Sequence, residues 1–235
     1  MASFRTHIEV AALGSGMLSS VCLGSDLITP IEALALWMAG TLGGILPDLD
    51  SDNSTSLKII FNIISLGLIG LIVIFMHLRF TTLVIWGSCI VVYCLINVVA
   101  RPVFESATIH RGIFHTVITG LLFSMTAINL SFYYGKQTAF FSWMIGLFVL
   151  FGFFIHLILD EISSVDIANN KIKRSFGTAF KLYEYKNLIL STVIILITLL
   201  CYNLAPSPNR FYQTITDIDT YHSIKASFLP EVLMK

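Results

Sequence analysis

The sequence predicts an all-α, polytopic membrane protein with about seven transmembrane helices. Of its 235 residues, 56% are hydrophobic and only 12% are charged. The mean hydropathy is +0.84, well above that of an ordinary soluble domain. The formal net charge is zero, which argues against nucleic acid as a partner because no basic surplus would neutralise phosphates.

The predicted spans are of two kinds. The runs 8–23 and 31–46 are short and rich in small residues, which let helices pack closely in lipid, so we expect them inside the bundle. The other runs reach or approach the length of about 20 apolar residues that crosses a bilayer; they are 57–76, 80–100, 113–134, 139–160 and 187–204. The chain then divides into a helical membrane domain, residues 1–204, and a polar C-terminal tail, residues 205–235.

The distribution of basic residues predicts the sidedness. With seven crossings, the N-terminus and the segments 47–56, 101–112 and 161–186 share one face. The short loops of the other face carry only Arg79 and Lys136. By the positive-inside rule the first face is cytoplasmic, since it carries Arg5, Lys58, Arg101, Arg111, Lys171, Lys173, Arg174, Lys181 and Lys186.

Separate segments bring His or Asp to this same face. Such convergence at one end of a helix bundle is typical of a metal site built from facing helices. Mixed His and Asp ligation suits zinc first, with manganese or iron as alternatives. The candidate residues are His7, Asp48, Asp50, His110, His115, His156 and Asp160.

Local spacing supports several of these residues. His156 and Asp160 are four residues apart, so a helix projects both from one side. Pro47 tends to end the preceding helix, which would leave Asp48 and Asp50 in an extended segment that can turn inward. Ionisable groups near membrane depth are costly and are therefore functional candidates.

Each residue also has an ordinary interpretation. A single His at a helix end is often an interfacial residue, and His77 and His222, on the opposite face, fit that description. Asp52 fits a solvated loop, and Asp160 could pair with a nearby Lys. The ordinary interpretation must, however, hold separately for four segments on one face, which favours a shared site.

The ordered set of an early His, LPDLD, HRGIFHT and HLILD resembles the YdjM-like inner-membrane proteins, which are described as predicted membrane-bound metal-dependent hydrolases. The resemblance covers roughly residues 5–165. It implies a helical domain in the bacterial inner membrane and a distant likeness to zinc-dependent phospholipase C and P1-type nucleases. Those enzymes hold two or three zinc ions with His and Asp.

The resemblance also assigns the motifs to residues of this chain. The chain departs from the family at Ser51, where many relatives have His, and at Phe114, where they have Thr. The first departure removes a possible metal ligand, and the second removes a hydroxyl that could orient His115. We therefore expect between one and three metal ions. The early His is His7, PDxD supplies Asp48 and Asp50, HRGxxH supplies His110, Arg111 and His115, and HxxxD supplies His156 and Asp160.

These residues predict a hydrolase that cleaves a phosphoester of a membrane lipid reached from the inner leaflet. Arg111 offers a planar fork for a phosphate, and Lys173 and Arg174 extend that basic surface. His110 or Glu161 would carry the leaving-group proton. A carboxylic ester or an amide would suit the same metal chemistry. The alternatives are a metal or proton transporter and a non-catalytic membrane protein with a structural metal.

Overall fold

The computed structural model of the protein describes residues 3–50, 55–103, 113–166, 171–172 and 180–228. The described residues are helical apart from connecting turns and a pair of two-residue antiparallel strands, β1 (Val165–Asp166) and β2 (Lys171–Ile172). The predicted all-α class is therefore confirmed.

The chain forms two compact units, which are described separately. The first unit consists of residues 1–47 and 113–235, and the second of residues 48–112. The helices described in the second unit are α3 (Thr55–Met76) and α4 (Thr82–Cys94). Those of the first unit are α1 (Phe4–Gly24), α2 (Pro30–Gly43), α5 (Val117–Asn129), α6 (Ala139–Ser163), α7 (Leu188–Leu204), α8 (Asn209–Thr216) and α9 (Ile218–Phe228).

Among the described residues, six helical segments are long and apolar enough to cross a membrane, and a seventh is added if α7 and α8 are counted together as one bent span. This confirms the predicted number and makes the protein an integral membrane protein. π-helical turns lengthen α4 through Leu95–Ala100 and α5 through Leu130–Tyr134. The six segments are Phe4–Gly24, Pro30–Asp48, Leu57–Met76, Thr82–Val103, Val117–Tyr134 and Ala139–Ser163.

Side-chain caps set where the helices of the first unit begin. The Ser3 hydroxyl accepts from the backbone N–H of Thr6 at the start of α1. At the start of α2, Thr29 and Glu32 form a reciprocal capping box, with Pro30 in the first turn. Such caps satisfy N–H groups that have no partner inside the helix.

Helix α6 is the most buried span, and glycines bring α2 against it. A Cβ atom added at Gly43 would overlap the Val149 carbonyl, and one added at Gly152 would overlap the Gly40 carbonyl. Because no side chain separates the two backbones here, they pack at the short distance that small residues permit in membrane proteins.

We expect Gly152→Ala to lower the free energy of unfolding by about 1–3 kcal/mol, because the added methyl group forces the α2 and α6 backbones apart. Gly67→Ala is the matched control, since nothing lies within 4 Å of a Cβ added there. Denaturant unfolding in detergent micelles measures both variants. Equal stability of the two variants would show that the glycine contact is not close-packed in the folded protein.

Candidate metal centre

Three histidines and one aspartate meet at the end of the first unit where α1 begins and α6 ends. His7 lies in the first turns of α1, and His115 ends a 3-10 turn, Ile113–His115, that precedes α5. His156 and Asp160 lie in the last turns of α6. The four residues are almost fully buried, with exposed fractions of 2%, 7%, 0% and 7% in that order.

The three imidazole rings face a single carboxylate. His7 Nε2 lies 3.3 Å from Asp160 Oδ1. His115 Nε2 and His156 Nε2 each lie 3.8 Å from Asp160 Oδ2. Two donors that each lie about 2.1 Å from a zinc ion at the tetrahedral angle are about 3.4 Å apart. The ligand atoms of His7, His156 and Asp160 all lie within 4.8 Å of one another, so these three side chains can share one small divalent ion, and His115 lies beside them.

A hydrogen bond from His156 to a backbone carbonyl determines which of its two ring nitrogens carries the hydrogen. His156 Nδ1 lies 2.8 Å from the carbonyl oxygen of Gly44. A carbonyl oxygen only accepts, so this nitrogen carries the hydrogen and Nε2 of the neutral ring carries a lone pair. That lone pair then faces a carboxylate oxygen, an arrangement that is repulsive unless a proton or a metal ion lies between them. Backbone carbonyls orient metal-ligating histidines in this way.

Asp160 has an oxygen whose hydrogen-bonding capacity is not used by the described residues. Its Oδ1 is buried and has no hydrogen-bond partner among them, although His7 Nε2 is 3.3 Å away. Leaving such an atom unpaired is costly, and a bound ion would satisfy it. A proton added to one of the imidazole rings could also pair with the carboxylate. Two protonated rings would repel each other, however, because His7 and His156 stack with their centroids 3.7 Å apart.

Hydroxyl groups fix the turn that presents His115. Thr116 and Thr119 both donate hydrogen bonds to the carbonyl oxygen of Ile113, each at 2.8 Å. The Thr116 hydroxyl also accepts from the backbone N–H of Thr119 and so caps α5. Sequence reasoning missed both threonines, although a Thr directly before an apolar run is a recognisable N-cap signal.

The segment between α6 and α7 that contains Lys181 and Leu182 is hydrogen-bonded to the start of α5. The N–H groups of Val117 and Ile118 donate to the carbonyl oxygens of Lys181 and Leu182, at 2.9 and 3.2 Å. These bonds satisfy donors in the first turn of α5 that have no partner within the helix. The segment therefore helps to position the turn that carries His115.

Glu184 anchors this segment. Its carboxylate accepts from the backbone N–H of Lys186 at 3.1 Å and from Lys181 Nζ at 3.2 Å. Burial alone would raise the pKa of the Glu184 carboxyl, but these bonds outweigh burial and hold that pKa below its usual value. Ser191 in α7 exchanges hydrogen bonds with the Glu184 backbone. No sequence motif pointed to this role.

Three other predicted site residues lie in the described part of the chain. Asp48 is half-buried and belongs to the second unit. The backbone of Asp50 lies in the 3-10 turn Leu46–Asp50, and its side chain is outside what the structure describes. Glu161 is partly buried and projects about 100° around α6 from Asp160. The ligand roles of Asp48 and Asp50 and the proton-carrier role of Glu161 stay predictions.

Several predicted positions lie outside the described residues: His110, Arg111, Lys173, Arg174, Ser51 and Asp52. His77 and His222, which the sequence assigned to the opposite face and to ordinary roles, are exposed. No protein-family model matches the sequence, and searches of curated proteins and of solved structures returned no match.

We expect the purified protein to contain a divalent transition ion and Asp160→Asn to weaken its binding at least about 100-fold, because the variant loses the only carboxylate of the group. Elemental analysis and competition with a chromogenic chelator measure this. His222→Ala is the control and should bind metal normally. Unchanged metal content in Asp160→Asn would exclude this cluster as the binding site.

We expect Glu184→Gln to reduce the free energy of unfolding by about 1–2 kcal/mol at pH 7, since it removes a charged acceptor. The folded-state pKa is lowered, so the carboxylate stabilises the fold above pH 4.5, the usual value for Glu. This contribution is lost as the pH falls through the folded-state pKa, so the variant and the parent should converge there.

Unfolding titrations at pH 7 and at acidic pH measure the effect of Glu184→Gln. Glu9→Gln is the control, because Glu9 forms an exposed ion pair with Arg5, and its replacement should change stability by less than about 0.5 kcal/mol. A deficit in Glu184→Gln that persists unchanged at acidic pH would contradict the ionic role of Glu184.

Proposed function

We propose that the protein is a metal-dependent hydrolase embedded in the membrane, and that it cleaves a phosphoester of a membrane lipid. The observation that carries the proposal is the convergence of three imidazole Nε2 atoms on one buried carboxylate. His7, His156 and Asp160 would hold one divalent ion, and His115 lies against the same carboxylate. This is also the class of activity that the motif resemblance implies.

The charges of the group favour an anionic substrate. Three neutral imidazoles and one carboxylate leave a site with a net charge of about +1 once a divalent ion is bound. An ion bound there would supply Lewis acidity and activate water for hydrolysis. Of the chain's own residues, Gly44 would keep the His156 lone pair directed at the ion, and the two oxygens of Asp160 would face His7 and His115.

The remaining roles come from sequence reasoning. Arg111, Lys173 and Arg174 would bind the phosphate, and His110 or Glu161 would transfer the leaving-group proton. Asp48 and Asp50 would supply ligands for a further ion. Because the four clustered residues sit at helix ends, the reacting group would lie near headgroup depth. The basic residues predicted on that face favour the cytoplasmic leaflet of a bacterial inner membrane.

A structural metal is the second candidate. Its support is that each of the four side chains is at most 7% exposed and that His115, if it moved closer to the ion, would complete four ligands. Closed four-ligand coordination is typical of structural zinc, whereas catalytic zinc keeps one position for water. In that role the ion would tie the starts of α1 and α5 to the end of α6.

A transporter has less support. Carriers commonly bind their substrate near the bilayer midplane, with ionisable or polar groups on broken helices. The middle turns of the helices of the first unit from α1 to α7 contain no Asp, Glu, His, Lys or Arg. The charged groups of these helices are concentrated near their ends.

We expect the zinc-loaded protein in lipid nanodiscs to release phosphate or a headgroup from at least one member of a panel of phospholipids and prenyl phosphates. Asp160→Asn should retain less than about 1% of the rate, because metal binding is lost, and His77→Ala should keep the parent rate. Phosphorus NMR and lipid mass spectrometry detect the products.

The same preparations separate the candidates. Metal binding that raises the melting temperature, with no cleavage across the panel, would exclude the proposed hydrolase and support the structural ion. Accumulation of zinc or manganese in proteoliposomes that contain the parent, but not Asp160→Asn, would favour the transporter instead.

A further inference from the structure

The described part of the C-terminal tail is folded and leaves the last long helix at a sharp angle. Helix α7 ends at Leu204, and α8 begins at Asn209 after a break that contains two prolines. The angle between α7 and α8 is 87°. A helix at this angle to a membrane-crossing helix, starting where that helix ends, runs parallel to the bilayer plane.

Aromatic contacts hold the tail against the first unit. Trp143 Nε1 donates to the carbonyl oxygen of Pro206 at 2.9 Å. The Phe211 ring packs on Trp143 and Phe140, with centroid distances of 5.9 and 6.5 Å. At the other end of the tail, the Ser227 hydroxyl lies 3.1 Å from that of Ser25. The tail is thus fixed at the end of the first unit where α1 ends and α6 begins.

This end of the first unit lies about one membrane thickness from the cluster of three histidines and Asp160. Trp143 and Asp160 lie on the same straight helix, about 25 Å apart at 1.5 Å per residue. The hydrocarbon core of a bilayer is about 30 Å thick. If Asp160 lies near one boundary of the hydrocarbon, Trp143 and the tail that it contacts lie near the other boundary.

The tail helices are amphipathic, and part of their apolar side is exposed. On α8, Phe211 packs on the bundle, whereas its neighbours on the same side, Tyr212 and Ile215, are 54% and 50% exposed. On α9, Ile218 and Tyr221 are 70% and 63% exposed. We call Tyr212, Ile215, Ile218 and Tyr221 the tail stripe; they recur at every third residue.

We propose that α8 and α9 form an in-plane membrane anchor whose tail stripe inserts into the boundary between headgroups and acyl chains. Amphipathic helices that lie flat in this boundary bury their apolar side to a depth of about 5–10 Å. The tail stripe begins at the residue after Phe211, whose ring packs on the bundle. Tyr133, whose hydroxyl donates to the Leu204 carbonyl, and Trp143 lie at the same end, as in an aromatic belt.

The charges of the tail identify the lipid chemistry. In the described tail, Arg210 and Lys225 are balanced by Asp217 and Asp219. Without a basic surplus, binding depends on the burial of apolar area and not on anionic headgroups. The tail stripe should therefore insert into a zwitterionic phosphatidylcholine bilayer as well as into an anionic one. This expectation does not depend on whether the protein is a hydrolase.

Spin-label accessibility tests this inference on the full-length chain in phosphatidylcholine nanodiscs. The labels are placed at Ile215→Cys and Ile218→Cys, with Gln213→Cys on the opposite side of α8 as the matched control. Insertion predicts a severalfold higher ratio of oxygen to nickel-chelate collisions at residues 215 and 218 than at residue 213. The background replaces the native cysteines, Cys22, Cys89, Cys94 and Cys201, with Ala.

Equal nickel accessibility at residues 213 and 215 would mean that the tail stripe faces water, and protection of residue 215 from both reagents would mean that protein covers it. Either result overturns the proposal. A photoreactive benzoylphenylalanine at Tyr212 tests it with the native cysteines kept: lipid adducts support the anchor, whereas adducts to a second chain contradict it. The same residue at Gln213 should give no lipid adducts.

Discussion

The close contact between α2 and α6 is the constraint on which the candidate centre depends. In lipid, apolar side chains gain little by leaving the solvent for a helix interface, so the helices are held by packing. The glycines of this contact remove the side chains that would keep the backbones apart. As a result the Gly44 carbonyl comes within 2.8 Å of His156 and fixes the orientation of its ring. A packing feature of the mid-bundle thereby determines the chemistry at its end.

The first unit separates its polar groups by depth. The clustered His and Asp side chains lie at one end, hydroxyl groups bridge helices within the bundle, and aromatic rings with the tail lie at the other end. Inside the bundle, for example, Ser124 donates to the Gly146 carbonyl of the neighbouring helix, so that its hydroxyl is satisfied without water. Costly ionisable groups are therefore confined to the depth at which a headgroup or a metal ion could pair with them.

The helices and their number could be predicted from the sequence because a membrane requires long apolar runs, a signal that does not depend on tertiary contacts. The grouping of His7 with His115, His156 and Asp160 could be expected once the spans were placed. Gly44 and Glu184 could not, since a backbone carbonyl and a loop carboxylate acquire their roles only from neighbours distant in the chain. The tail helices were also missed, because α8 is only two turns long and its apolar period is too short to identify.

The position of His7 in the first helix has a consequence for biogenesis. His7 precedes His156 and Asp160 by about 150 residues, so it is synthesised well before them. Contacts between residues so far apart in the chain form late and slowly. Helix α1 is therefore in the membrane before α6 brings the carboxylate that His7 faces in the folded protein. Completion of the cluster would mark the point at which α1, α5 and α6 have come together.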